Sequence, residues 1–335
     1  MNNSIRLFEE LEEGLTSLRV SRTPPHGSYS FHDMPHVVAK GMLIKVAMNS
    51  VGTPSLWIGS SDLVTSEKVV WESKGIKASQ SPDGSGATSS WIVIEAEKLY
   101  TDGIFISLAT SICAKCIDIN STKRGVISDA LDEWRQMFLN NTEGLNLNEL
   151  AGLIGELITL EEIAKEHGAS ALETWHGFEG ERHDFSRANI ALETKTKTTA
   201  GAEITINGLR QLEPPSDGKL MLRLIRLEAT TSEDLCLPAM IKRLCALGLS
   251  QGKLEEGILK AKASPQQIVN PTKYFHLIEK VAYKIEEGFP RIIPASFETK
   301  QCPPGVGGLK YQINIGHAER FKASESEYIL HINQL

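Results

Sequence analysis

Over residues 1–22, Ile5, Leu7, Phe8, Leu11, Leu15 and Leu18 recur at helical spacing with glutamates between them, predicting an amphipathic helix that RTPPHGS breaks. From 29 to 119 the pattern changes to short apolar runs, MLIKVAM, SLWIGS, KVVWES, SSWIVIEA and GIFISLATSI, separated by Gly, Pro, Ser and Asp. That is the signature of a β-rich region. Within it SQSPDGSGATSS reads as a flexible loop, and over 100–119 helix and strand both remain open. Val126, Ile127, Ala130, Leu131, Trp134, Met137 and Phe138 predict a helix over 125–143. ELAGLIGELITLEEIAKEHG predicts another, with Asn148 as its N-cap and Gly168 at its C-terminal end.

TWHGF, HDFSR, NIALETKTKT, AEITIN and KLMLRLIRLEA then read as successive strands, which with the preceding helix make an α/β unit. LPAMIKRLCALGL and TKYFHLIEKVAYKIEEGF read as later helices, and GLKYQINI and SEYILHI as late strands. There is no internal repeat. The expected organisation is a β-rich domain with a leading helix over 1–122, an α/β core over 123–230, and a helical region with late strands over 231–335.

With 41% hydrophobic and 23% charged residues, the chain has the composition of an ordinary globular protein. No apolar run is long enough to span a bilayer. The start, MNNSIRLFEELEEGL, lacks a basic segment followed by an apolar one, so the cytoplasm is the expected compartment. A net charge of -7 argues against a surface that coats nucleic acid throughout, but leaves room for a local basic groove or for carboxylates that need a cation. The five cysteines are expected to be free thiols. Cys113 and Cys116 form a CxxC, but there is no second CxxC or HxxxH to complete a zinc site, so a zinc or redox role is a minor alternative.

The sharpest local feature is HDFSRANIALETKTKT, in which Asp184 is followed nine positions later by Glu193 and then by Lys195. On a strand over 189–196, Glu193 and Lys195 share a face with Asn189 and Ala191, while Ile190 and Leu192 face the opposite way into a core. Two carboxylates suit magnesium, which prefers hard oxygen ligands. Such an ion neutralises charge on a phosphodiester and lowers the pKa of a bound water. A lysine beside it orients or helps deprotonate that water and stabilises the transition state. In this reading Asp184 and Glu193 are ligands, Lys195 positions the water, and the Thr194 carbonyl adds a further oxygen. Glu156, in an otherwise apolar helix, reaches the same site if that helix packs on the sheet, with Gly152 and Gly155 allowing close approach. Gln211 contacts the metal water or a phosphate, and Arg182, His183, Lys197 and Arg210 bind a nucleic-acid backbone. Taken alone, the Asp184–Glu193–Lys195 spacing also fits a solvated strand face. The order helix Glu, strand Asp, strand Glu-x-Lys, then Gln is more selective.

With these residues the chain resembles the PD-(D/E)XK nuclease superfamily, and more closely a set of bacterial proteins grouped with it, over nearly its full length. The matching pieces are GLIGELITL, Trp175 and Gly177 of W-x-G, RHDF, LETK, Gln211–Leu212, GFPRIIP and GLKYQINI. The resemblance implies an α/β (α+β) restriction-endonuclease-like core of a mixed central sheet flanked by helices. It also implies a Mg2+ site, in which Mn2+ substitutes, carried by Asp184, Glu193 and Lys195 with Glu156 as helix carboxylate. The close set tends to lie in restriction-type or phage-defence gene clusters. That points to DNA as substrate and to a homodimer or a complex with ATPase- or methyltransferase-type partners. His183 stands where a proline is usual, and Thr194 where an aliphatic residue is commoner. The expected function is a magnesium-dependent DNA endonuclease. The alternative is a non-catalytic DNA-binding or scaffold subunit that keeps the fold.

Overall fold

The computed structural model describes residues 3–38, 43–60, 69–73, 75–81, 90–96, 101–122, 124–140, 144–231 and 235–335. Of the loop expected over SQSPDGSGATSS, residues 79–90, Ser79–Ser81 and Ser90 belong to strands and 82–89 lie outside the described residues. The chain divides into two compact units, 1–143 with 264–269, and 144–263 with 270–335. No helix of the described residues is long and apolar enough to cross a membrane.

In the first unit, helix α1 (Asn3–Val20) precedes strand β1 (Tyr29–Asp33), the short helix α2 (Pro35–Val38) and strands β2 (Ile44–Asn49), β3 (Pro54–Ser60), β4 (Val69–Ser73), β5 (Ile76–Ser81) and β6 (Ser90–Ala96). The strands form one antiparallel sheet in the order β1-β2-β3-β6-β5-β4. Leu7, Phe8, Leu11, Leu15 and Leu18 of α1 are buried, as their spacing requires. The undecided segment is helix α3 (Asp102–Ile119), started by Thr101, whose hydroxyl accepts the Ile104 N–H at 3.2 Å. Its period is hidden because Ile104, Phe105, Ile106, Leu108 and Ala109 are all buried, so apolar residues run around the helix. Cys113 and Cys116 lie inside α3 as buried thiols. Burial pushes Cys116 up to about 12, so it stays protonated. Helix α4 (Arg124–Asn140) completes the run and groups with this unit.

The second unit opens with α5 (Leu147–His167). Its N-cap is Asn146 rather than Asn148, because Glu149 sits three residues after Asn146 and closes a capping box with it. Gly168 ends the helix at φ +59°. Strands β7 (Phe185–Arg187), β8 (Ile190–Lys197), β9 (Glu203–Asn207) and β10 (Lys219–Thr230) are followed by helices α6 (Leu237–Ala246) and α7 (Gln251–Lys260). The short helix α8 (Pro265–Val269) belongs to the first unit. Strands β11 (Tyr274–Lys284), β12 (Lys310–Asn314) and β13 (Lys322–Ala323) and helix α9 (Glu325–Ile332) end the chain. The central sheet has the order β13-β11-β10-β8-β7. It is mixed: β8 and β10 are parallel, and the other neighbours antiparallel.

Three expected elements differ. TWHGF is not a strand: it is 3-10 turn with a single bridge from Trp175 to Phe185. TKYFHLIEKVAYKIEEGF contains strand β11 instead of a helix. Arg226 pairs with Glu279 and Leu227 with Leu277, so Ile278 is an extra residue in a bulge. The bulge interrupts alternation and leaves apolar residues at near-helical spacing. SEYILHI is helix α9 instead of a strand, nucleated by a capping box between Ser324 and Glu327.

Helix α5 lies across one face of the sheet. A Cβ on Gly155 would fall 1.8 Å from Thr196 Oγ1, so only glycine permits this approach, and the Thr194 hydroxyl donates to that of Thr159 at 3.1 Å. Gly152 faces open space instead, with nothing within 4 Å of where a Cβ would stand, so it plays no part in the approach. On the other face Ala191, Leu220, Leu222 and Leu224 join Ile204 and Ile206 of β9 and Ile313 beyond them in one core. Both faces of β8 are therefore covered, and Glu193 sits between two layers rather than on an open platform.

Candidate active site

Three carboxylates converge where α5, the turn before β7 and β8 meet. Glu156 comes from α5, Asp184 precedes β7, and Glu193 lies within β8. The space over Gly177 shows how close the first two are: a Cβ there would lie 2.7 Å from Glu156 Oε2 and 3.1 Å from Asp184 Oδ1. Asp184 Oδ2 accepts the Thr194 N–H at 2.8 Å, which fastens it to β8 beside Glu193. Lys195 Nζ lies 2.7 Å from Glu193 Oε1 as an ion pair, yet among the described residues neither buried Glu193 oxygen takes a hydrogen bond of ordinary geometry. Glu156 and Asp184 keep partial exposure, whereas Glu193 has none.

The electrostatics follow from crowding like charges in a dry place. Burial first, then the Asp184 and Glu193 charges, push Glu156 well above the carboxylate range, against the pull of the Trp175 N–H and of Lys195. Burial raises Asp184, opposed by Lys195 and the Thr194 N–H. Burial and Asp184 push Glu193 up to about 8. For Lys195, burial alone would lower the ammonium, but Glu193, Asp184 and Glu156 outweigh it and raise the net value, so the side chain is charged at neutral pH.

Folded Glu193 holds its proton up to about 8, while the unfolded chain releases it near 4.5. The stabilisation is thus complete below the unfolded value and is lost as pH rises through the folded one. In EDTA, stability should fall by about 4 kcal/mol between pH 5 and 8.5, read from urea unfolding at each pH. A flat profile would mean that Glu193 is already ionised at pH 5.

A carboxylate in the same helix shows the opposite treatment. Glu162 accepts from Arg223 Nε at 3.0 Å and Nη2 at 2.6 Å, from Lys280 Nζ at 2.5 Å and from the Tyr328 hydroxyl at 2.8 Å. Burial alone would raise it, but Arg223 and Lys280 outweigh burial and hold it below its ordinary value. This fold can satisfy a buried glutamate, yet among the described residues it leaves the Glu193 oxygens without a hydrogen bond of ordinary geometry.

The other expected residues have local partners. Gln211 Oε1 accepts the Asn207 N–H at 2.8 Å, closing the turn after β9. Arg182 donates to the carbonyls of Arg210 and Glu213 and pairs with the Glu213 carboxylate at 2.6 Å. His183 Nε2 lies 3.1 Å from the Glu213 carbonyl, and burial with the neighbouring Arg182 charge pushes it down to about 4, so it is neutral at pH 7. Both tie the 210–214 loop in place instead of presenting charge to a phosphate. Lys197 Nζ donates to the Gly201 carbonyl. Arg210 is exposed. Trp175 was legible only as part of W-x-G. Its indole N–H donates to Glu156 Oε2 at 2.9 Å, a role no spacing rule announces.

A mixed sheet with Asp before one strand, Glu-x-Lys on the next and a helix glutamate beside them is the arrangement of a PD-(D/E)XK, nuclease-like α+β protein. The family model described as "Putative PD-(D/E)XK family member, (DUF4420)" matches residues 6–316, and the chain belongs to that family. No curated protein and no solved structure matches it.

Proposed function

We propose that this protein is a magnesium-dependent endonuclease that hydrolyses phosphodiester bonds in DNA. The carrying observation is the buried Glu193 carboxylate, whose oxygens take no hydrogen bond of ordinary geometry among the described residues, beside Asp184 and 2.7 Å from the Lys195 ammonium. Among the described residues no three His, Cys, Asp or Glu side chains form a ready cage for a metal ion. Magnesium keeps several waters and often takes only one or two protein carboxylates. Asp184 and Glu193 would hold it, with Glu156 beside them and the Thr194 carbonyl as a further oxygen. Manganese would fit the same oxygens. When bound, the cation supplies positive charge at the scissile phosphate and acidifies water.

The chain's own residues do the rest. Lys195, held as an ammonium by the carboxylates around it, donates to the attacking water or to a phosphate oxygen and offsets charge that builds in the transition state. Thr194 fixes Asp184 through its backbone N–H. Of the four residues expected to meet a DNA backbone, Arg210 is exposed, whereas Arg182, His183 and Lys197 spend donors locally. Cutting both strands of a duplex needs two such sites, which favours a homodimer or a multi-subunit complex. The family resemblance adds a restriction-type or phage-defence setting with ATPase- or methyltransferase-type partners.

The test is cleavage of supercoiled and linear DNA with Mg2+, Mn2+ or EDTA. Cutting is expected with either metal and none with EDTA. No cutting in any metal, alone or with the proteins of neighbouring genes, would overturn the proposal in favour of a scaffold that keeps the fold.

A further inference from the structure

The segment from Trp175 to Gly177 bonds to the Glu156 carboxylate and to the backbone of Asp184. Trp175 is 2% exposed, and its indole N–H is a donor only. Buried without an acceptor, that N–H would cost stability, so the 2.9 Å bond to Glu156 Oε2 meets a demand of the tryptophan as well as of the glutamate. The ring cannot swing away. Phe178 packs edge-on at 4.8 Å and 75°, and Gly257 of α7 lies so near that a Cβ there would be 2.7 Å from Trp175 Cζ3. The backbone then holds the second carboxylate's residue. The N–H groups of His176 and Gly177 both donate to the Asp184 carbonyl, at 2.7 and 3.1 Å. At Gly177 the missing side chain is what leaves room, since a Cβ would fall 2.7 Å from Glu156 Oε2.

We propose that Trp175 and Gly177 are positioning residues that aim Glu156 at Asp184, so that the helix carboxylate serves as an oxygen ligand to the divalent cation. The proposal rests on the metal-dependent reading above and adds what holds its third carboxylate. Without the indole, Glu156 sits among Leu153, Ile154, Leu157 and Leu160 with no donor to fix its plane, and its partial exposure lets it swing toward water. Trp175 acts through Glu156 and touches no reacting atom. Its effect should therefore vanish when Glu156 can no longer bind a cation.

Mn2+ binding to the full chain, followed by titration calorimetry without DNA, is the measurement. Trp175→Phe keeps an aromatic ring and loses the N–H. It should weaken Mn2+ binding about tenfold, in the range seen when a partner of a metal ligand is removed. In a Glu156→Gln background the same change should have little further effect, a non-additivity that marks action through one residue. Gly177→Ala should weaken binding similarly, by pushing Glu156 Oε2 aside. Trp175→Phe that binds Mn2+ as wild type does, or that loses the same factor with and without Glu156, overturns the assignment while the metal-dependent reading stands. A wild-type chain that binds no Mn2+ overturns both. If Trp175→Phe does not fold, Gly177→Ala decides: binding at wild-type strength overturns the assignment, and a loss confined to chains with Glu156 supports it.

Discussion

Lys195→Ala is expected to lower metal-dependent DNA cutting by about two to three orders of magnitude, the usual cost of removing one preorganised charge from a reacting centre. Mn2+ affinity should stay the same or tighten, because the ammonium 2.7 Å from Glu193 competes with a cation for the same carboxylate. These opposite directions make the prediction specific. A lysine that served only as a structural counter-ion would take folding with it when removed. Here the fold does not depend on the lysine for neutrality, since burial and Asp184 already push Glu193 up to about 8, so at pH 7 it holds a proton that stays when the cation is lost. The melting temperature at pH 7 should therefore move by only a few degrees, a change of about 1 kcal/mol for a unit of this size. Cutting assays, calorimetric Mn2+ titration and thermal unfolding of the same preparation separate the outcomes. Undiminished cutting removes Lys195 from the chemistry. A collapse in melting temperature makes it a structural ion-pair partner.

The elements that carry this chemistry were the easiest to read in the sequence, and the reason is physical. Helix α5 shows as one long apolar run closed by Gly168, although its buried residues run around the helix, and the strand period of two places Glu193 and Lys195 of β8 on one face. What alternation could not reveal is that β8 is covered on both faces. That depends on Ile204, Ile206 and Ile313 returning from β9 and β12 to roof over Ala191 and Leu222. The misread segments fail for local causes. The bulge at Ile278 makes β11 imitate a helix, and the SEYILHI run of β-prone residues becomes α9 because Ser324 and Glu327 cap it. Arg182 and His183 look from sequence like groups waiting for a phosphate. Their actual partners are carbonyls about thirty residues away, beyond the reach of any local pattern.

Glu162 was not singled out by its sequence position either, and it supports the second large expected effect. Arg223→Ala should destabilise the protein by about 3–5 kcal/mol, the cost of breaking a buried ion pair and stranding one partner. Arg223 is 1% exposed, forks onto both Glu162 oxygens and lies 4.0 Å over the Tyr328 ring. Its removal leaves Glu162 with Lys280 and Tyr328 alone, beside a guanidinium-sized hole. Protonation gives less relief here than at Glu193, because Glu162 starts below its ordinary value. That depressed value also gives the opposite pH sign. Its stabilising contribution is present above the unfolded value of 4.5 and is lost as pH falls through the folded one. Urea unfolding of Arg223→Ala at pH 7 tests the size, and a loss below about 1 kcal/mol would show that the network is not structural. Replacing both partners, Glu162→Met with Arg223→Met, should recover much of the loss, since a well-packed apolar pair can match a buried ion pair in stability. The network ties α5 to β10, β11 and α9, and Glu162 lies six residues, about 9 Å of helix rise, beyond Glu156. A double variant that regains stability and also cuts DNA at the wild-type rate would show that packing alone sets α5. Regained stability with impaired cutting would show that the charges fix the helix register on which Glu156 depends.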